Sequence, residues 1–264
     1  MTLLASLATS LFLAATPTAY VESRQGPDGG FGDPQITAWA TLGLAAAGSQ
    51  PEHLRAAAAY LARREQEAQS TTDLALATMA RSAAGQEPKA ALAKLRAHRP
   101  GKLVNATIWT ILALRQAGEP APPALVRSLR AAQHRSGGWS WNAGGAPDTN
   151  DTAAAIQALR SAGVDGRAID RAVAFLRRYQ NPDGGFELTE GRGSDAQSTA
   201  WAIQGLIAAG ATPGPPAFRY LARLRRPDGS YRYSARYATT PLWVTAQVLP
   251  ALARKPFPLG RLTG

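Results

Sequence analysis

Three short segments of the chain repeat a carboxylate, an amide and a threonine at fixed spacing: Asp33-Pro-Gln-Ile-Thr37, Asp148-Thr-Asn-Asp-Thr152 and Asp195-Ala-Gln-Ser-Thr199. A carboxyl group can act as a general acid when burial raises its pKa. At a helix start the same residue caps the helix, its oxygen accepting a free backbone N–H two or three residues on. Because the D-x-[NQ]-x-T pattern recurs, capping must explain most of it. Residues 148–152 differ in carrying a second acid, so Asp148 and Asp151 form the candidate catalytic pair. No metal site is expected: the chain has no Cys, and His53, His98 and His134 match no ligand spacing. No Ser/His/Asp arrangement and no phosphate-cradling loop is present, since Gly144-Gly145 and Gly184-Gly185 belong to turns. No cofactor is implied.

Positioning these groups falls to a repeat. Six segments end alike, at Gly48, Gly85, Gly118, Gly163, Gly210 and Ala253, with spacings of 37, 33, 45, 47 and 43 residues. Each follows a stretch of helical apolar periodicity with a polar start, and another helix-like stretch, such as 51–66 or 170–180, lies between neighbours. The count is twelve helices in six hairpins. Four links from outer to inner helix share a glycine-aromatic turn: Gln25 to Phe31, Gln133 to Trp139, Gln180 to Phe186 and, degraded, Arg225 to Tyr231. Gly tolerates the positive φ of such a turn, and Gln can satisfy backbone groups left free at the helix end. Residues 51–118 lack the motif.

Aligned on their terminal residue, the inner helices show two faces. Thirteen positions before the end stand Gln35, Thr72, Asn105, Asn150, Gln197 and Thr240; nine before stand Trp39, Leu76, Trp109, Ala154, Trp201 and Val244; six before, the last three repeats have Gln157, Gln204 and Gln247. These positions lie within about 60° of one another around a helix. The opposite face is Thr/Ile/Leu, as in Thr199, Ile203 and Leu206, and suits packing on an outer helix. A Gln/Asn/Trp face is unusual for a dry core, because each buried amide needs partners. Either it lines a central cavity, with Trp offering apolar surface and the amides orienting a polar ligand, or the Trp residues fill a closed core. On the first reading Asp33, Gln35, Trp39, Asn105, Trp109, Asn150, Asp195, Gln197, Trp201, Gln204 and Gln247 are the ligand-binding candidates.

The recurring turns resemble the Q-x-x-x-G-x-W motif of the squalene-cyclase and protein-prenyltransferase repeat family, over about residues 16–264. That resemblance implies an all-α α6/α6 toroid, six inner helices ringed by six outer ones around a central cavity, a fold similar to the cobalamin-binding domain of transcobalamin-like proteins. Residues 148–153, DTNDTA, resemble the D-x-D-D-T-A motif of squalene-hopene-type cyclases, whose middle Asp donates the initiating proton. Here Asn150 holds that place, and an amide cannot protonate an alkene, so Asp148 or Asp151 would have to substitute with a pKa raised by burial. Those cyclases carry a second helical domain that this chain is too short to hold. The zinc of the prenyltransferases needs a Cys that is absent.

Composition bounds the rest. The 264 residues are 45% hydrophobic and carry 29 Lys+Arg against 18 Asp+Glu, a net charge of +11. The basic residues are scattered over many helices with no nucleic-acid motif, so a solvated surface is expected and no nucleic acid is a partner. Residues 1–15 form an apolar run with small residues at its end, and are read as a signal peptide directing export; 16–255 are the toroid and 256–264 an irregular tail. The sequence alone thus favours an exported, non-catalytic toroid that binds a corrinoid or isoprenoid ligand with help from a second domain or a membrane transporter. The alternatives are a class II-type terpene cyclase using Asp148 and Asp151, a glycan-binding or glycan-cleaving toroid, and a solid structural ring.

Overall fold

A computed structural model of the protein describes residues 15–260. The expected signal peptide therefore lies outside the described residues except for Ala15, as do the last four residues of the tail. Among the described residues there are twelve α-helices and only isolated β-bridges. Six are inner helices: α2 (Pro34–Ala47), α4 (Thr71–Ala83), α6 (Val104–Gln116), α8 (Thr149–Ser161), α10 (Ala196–Ala208) and α12 (Pro241–Leu252). The outer six are α1 (Pro17–Glu22), α3 (Pro51–Arg63), α5 (Lys89–Arg96), α7 (Pro123–Ala131), α9 (Arg167–Arg178) and α11 (Pro215–Leu224). Each inner helix packs on the next, α12 returns to α2, and α1 covers that last seam. The architecture is an α/α toroid.

Periodicity separates the two shells. Along α6 every residue from Val104 to Leu114 is buried, as a helix enclosed on all sides requires. By contrast α9 buries only Ile169, Ala172, Phe175 and Leu176, one stripe at helical spacing. The ring closes tightly where α12 meets α2, because Gly43 lets the two backbones touch at Ala246; any side chain there would collide with that carbonyl.

The glycine-aromatic turns and the D-x-[NQ]-x-T segments prove to be one device. Asp33, Asp148 and Asp195 cap α2, α8 and α10, accepting from the N–H groups of Ile36, Asp151 and Ser198 at 2.7, 2.8 and 2.7 Å. The threonine of each segment accepts the backbone N–H of the preceding aromatic: Phe31 to Thr37, Trp139 to Thr152 and Phe186 to Thr199, each at 2.9 Å. Gln25, Gln133 and Gln180 brace the turn from the other side, their Nε2 donating to the carbonyls of Gly29, Gly137 and Gly184. The turn also seats on the neighbouring outer helix. Gly184 has φ +89°, and a Cβ there would lie 2.6 Å from the Pro216 carbonyl oxygen. Gly184→Ala is expected to cost about 2–4 kcal/mol from strain and clash together, a fall in Tm readable by thermal denaturation.

One element departs from the sequence alignment. Tyr231 donates its N–H to Thr245 at 2.9 Å, the equivalent of Phe31 on Thr37. Eleven positions separate Thr37 from Gly48, but only eight separate Thr245 from Ala253, the end on which α12 was aligned. Alignment on the helix end therefore misplaced α12. Thr240 is exposed and Val244 does not face the channel; Trp243 takes the level of Gln35, and Gln247 that of Trp39.

Beyond α12 the chain crosses the far end of the toroid as an irregular but buried strap. Gln116 clamps Leu259 through both backbone groups, at 2.6 and 2.9 Å, and Gln157 accepts the N–H of Phe257 at 2.7 Å. Phe257 is 3% exposed and its ring lies 6.0 Å from that of Trp201.

Candidate active site at the toroid mouth

At the end where the inner helices begin, the channel opens as a cavity of about 300 Å³. Two rings of side chains, one helical turn apart, make its wall and floor. The upper ring is Gln35, Thr72, Asn105, Asn150, Gln197 and Trp243; the lower is Trp39, Leu76, Trp109, Ala154, Trp201 and Gln247. In the lower ring tryptophan alternates with smaller residues, which lets three indoles meet at the axis. Their centroids are 5.3, 5.8 and 5.8 Å apart with planes at 84–86°, mutual edge-to-face packing. Both sequence readings thus hold in part: the amide face lines a cavity, and the tryptophans close it.

Asp151 stands on the wall, only 7% exposed, with Asp148 beside it. Burial is the main cause that pushes Asp151 up to about 8; the charge of Asp148 adds to it, and a hydrogen bond from Asn105 opposes it. Burial also raises Asp148, against hydrogen bonds from Asp151 and from the Asn150 backbone. Burial and mutual repulsion thus favour a proton shared within the pair, with Asp151 the more strongly raised member. Thr72 donates to Asn105 Oδ1 at 3.2 Å, and Asn105 Nδ2 donates to Asp151 Oδ1 at 2.8 Å. That chain orients the carboxyl and would stabilise the carboxylate left by proton transfer. Asn150 contributes a buried Oδ1 without a hydrogen-bond partner. Gln197 and Trp201 both donate to Gln247 Oε1, at 2.9 and 3.0 Å.

The fold brings together Asp148, Asp151, Gln35, Trp39, Asn105, Trp109, Asn150, Gln197, Trp201 and Gln247. Three expected ligand-binding residues are elsewhere. Asp33 faces a lateral cleft of about 590 Å³ between α2, α3 and α4, and Asp195 faces a separate hollow near Tyr233, each capping its helix there. Gln204 lies beneath the tryptophan floor, its Nε2 donating to Ala200. The lateral cleft is larger than the central cavity but holds neither member of the acid pair. Sequence reasoning missed Trp141, Leu188 and Trp243 at the rim. Trp141 and Leu188 each lie two residues past a motif aromatic, the signal that could have found them. Among the described residues no Lys, Arg or His lines the cavity, and no cluster of acids and histidines could hold a metal.

Comparison with known proteins agrees with this architecture. The apo structure of MstE, described as a type II terpene cyclase from Scytonema, superposes with a TM-score of 0.69 at 18% identity, covering 90% of this chain and 95% of that one. MstE variants occur with geranylgeranyl dihydroxybenzoate as substrate and with merosterolic acid A as product. A protein from Actinoplanes matches at TM-score 0.65 and 20% identity, over 90% of this chain and 97% of its own. A protein described as a glycosidase matches at 0.64 and 14%, over 90% and 94%. No curated protein sequence matches significantly. The squalene-hopene cyclase C-terminal domain family matches residues 98–262, well over half of the chain. On that match, and with the toroid to go with it, the chain belongs to the family of the squalene-hopene cyclase C-terminal domain.

Proposed function

We propose that the protein is a class II-type terpene cyclase, in which Asp151 is the general acid and Asp148 its proton-sharing partner. The observation that carries this is a buried carboxyl group, its pKa raised by burial, facing a cavity floored by three indoles. Asp151 gives its proton to one carbon of a terminal alkene, and the O–H bond breaks as the C–H bond forms. The carbocation at the neighbouring carbon is attacked by an internal alkene, which closes a ring. Loss of a proton from the cyclic cation ends the sequence, so the product is an isomer of the substrate. The indole floor of Trp39, Trp109 and Trp201 excludes water from the cation.

Asn150 in the usual place of the acid is compatible with this reading, because Asp151 one position on has the burial and the partner that the task needs. MstE, described as a terpene cyclase, is covered over 95% of its chain by a toroid of this size. Two other readings lose ground. Cleavage of glycans would need carboxyl groups at least ~5 Å apart, whereas Asp148 and Asp151 share a hydrogen bond and no other acid lines the cavity among the described residues. A volume of about 300 Å³ is also far too small to enclose a corrin macrocycle.

The test is incubation with linear isoprenoids in D₂O, followed by mass spectrometry. A cyclic isomer carrying one deuterium on carbon is the expected product. Unchanged substrate, or a product without deuterium, would remove proton-initiated cyclisation.

A further inference from the structure

The indole floor divides the channel into an open half and a filled one. From Asn105 on the upper ring to Trp109 on the lower is one turn of α6, a depth of roughly 6 Å. The three rings lock one another edge to face, and their residues are 4–7% exposed. Behind them Phe257 of the C-terminal strap backs Trp201, and Gln116 and Gln157 pin the strap through its backbone. A guest in the cavity therefore meets a supported wall.

The size of the space follows. A water-sized group takes up about 30 Å³, so about 300 Å³ holds on the order of ten carbon-sized groups, with a further part of the ligand left in the mouth. Among the described residues the lining is neutral apart from the acid pair, with no basic side chain to receive a phosphate or carboxylate.

We propose that the Trp39–Trp109–Trp201 floor, backed by Phe257, sets the length of the substrate. The cavity takes a neutral linear isoprenoid of about ten to fifteen carbons in preference to longer chains, whose extra units the floor leaves outside the mouth. This rests on the cyclase reading for the reaction but not for the length selection, which acts on binding. Cutting one indole back to a methyl group removes about nine heavy atoms. After partial collapse of the gap, that leaves room for about one more isoprene unit.

The experiment separates the two. Binding of geraniol, farnesol, geranylgeraniol and squalene to Asp151→Asn, which cannot turn over, is measured by native mass spectrometry, and cyclisation of the same four is measured with the unaltered protein. Geraniol and farnesol should bind and react at least about tenfold better than the longer pair. Trp109→Ala should raise the preference for geranylgeraniol over geraniol by about tenfold. Trp109→Leu, which installs the side chain that Leu76 already presents at this level, should move it the same way and guards against misfolding of the Ala variant. Circular dichroism checks both. Equal binding of all four, or a preference that neither Trp109 variant moves, overturns the length determinant. Length-selective binding without any turnover upholds it and sinks the cyclase.

Discussion

Asp151→Asn should abolish turnover and yet raise the melting temperature at alkaline pH. Loss of an essential general acid lowers the rate by about 10²–10⁴-fold, and Asp148, the less strongly raised member of the pair, is not expected to replace it. The stability effect follows from linkage. An unfolded Asp titrates near ~3.9, while Asp151 in the fold is pushed up to about 8, mainly by burial. Between those values the folded state holds a proton that the unfolded state has released, so folding stability falls as pH rises through the window, and above it the full cost of a buried charge is present. Asn bears no charge. The variant and the native protein should melt alike near pH 4, and the variant should melt higher above pH 8, by about 2–4 °C for each kcal/mol relieved. The same titration sets the activity profile of the native protein: kcat/KM holds while Asp151 is protonated and falls above about pH 8. A profile that rises through that range would identify a carboxylate base instead.

Trp139→Ala should be the most damaging single truncation. Trp139 is fully buried, its Nε1 donates to the Leu129 carbonyl at 2.7 Å, and its backbone bonds both Thr152 and Asp148. Truncating a buried indole costs about 3–5 kcal/mol, a fall of roughly 6–20 °C in Tm at this size. It also releases the start of α8, and with it Asp148 and Asp151, so activity should fall further than stability alone accounts for. Trp141, two residues away and 49% exposed on the cavity rim, makes the contrast. Trp141→Ala should leave stability within about 0.5 kcal/mol and change only the handling of substrate. If the two variants melt alike, the motif aromatic is not the keystone its contacts describe.

Much of this protein is legible in its residues. The six hairpins follow from repeated helix ends and from Q-x-x-x-G-aromatic turns, because a positive-φ glycine, a bracing glutamine and a covering aromatic are local necessities of one turn. The capping role of Asp33, Asp148 and Asp195 is equally local. So is the inward face of Asn105, Trp109, Gln197 and Trp201, since helical periodicity alone puts residues four apart on one side. What periodicity cannot supply is distance across the ring. That Asn105 of α6 reaches Asp151 of α8, and that three tryptophans from alternate helices close a floor, depends on six helices meeting at one axis. The register of α12 was misread because its aligned end, Ala253, comes three residues early, a difference visible only once Tyr231 is seen on Thr245. The tail reads in sequence only as an irregular end, and packing alone shows Phe257 behind Trp201. The sequence by itself determined the toroid and the faces of its helices, since both are set by bonds within a turn or two. The acid and the size of its cavity were decided by the tertiary structure, because a carboxyl group's pKa and a cavity's depth come from what other helices bring within a few ångströms.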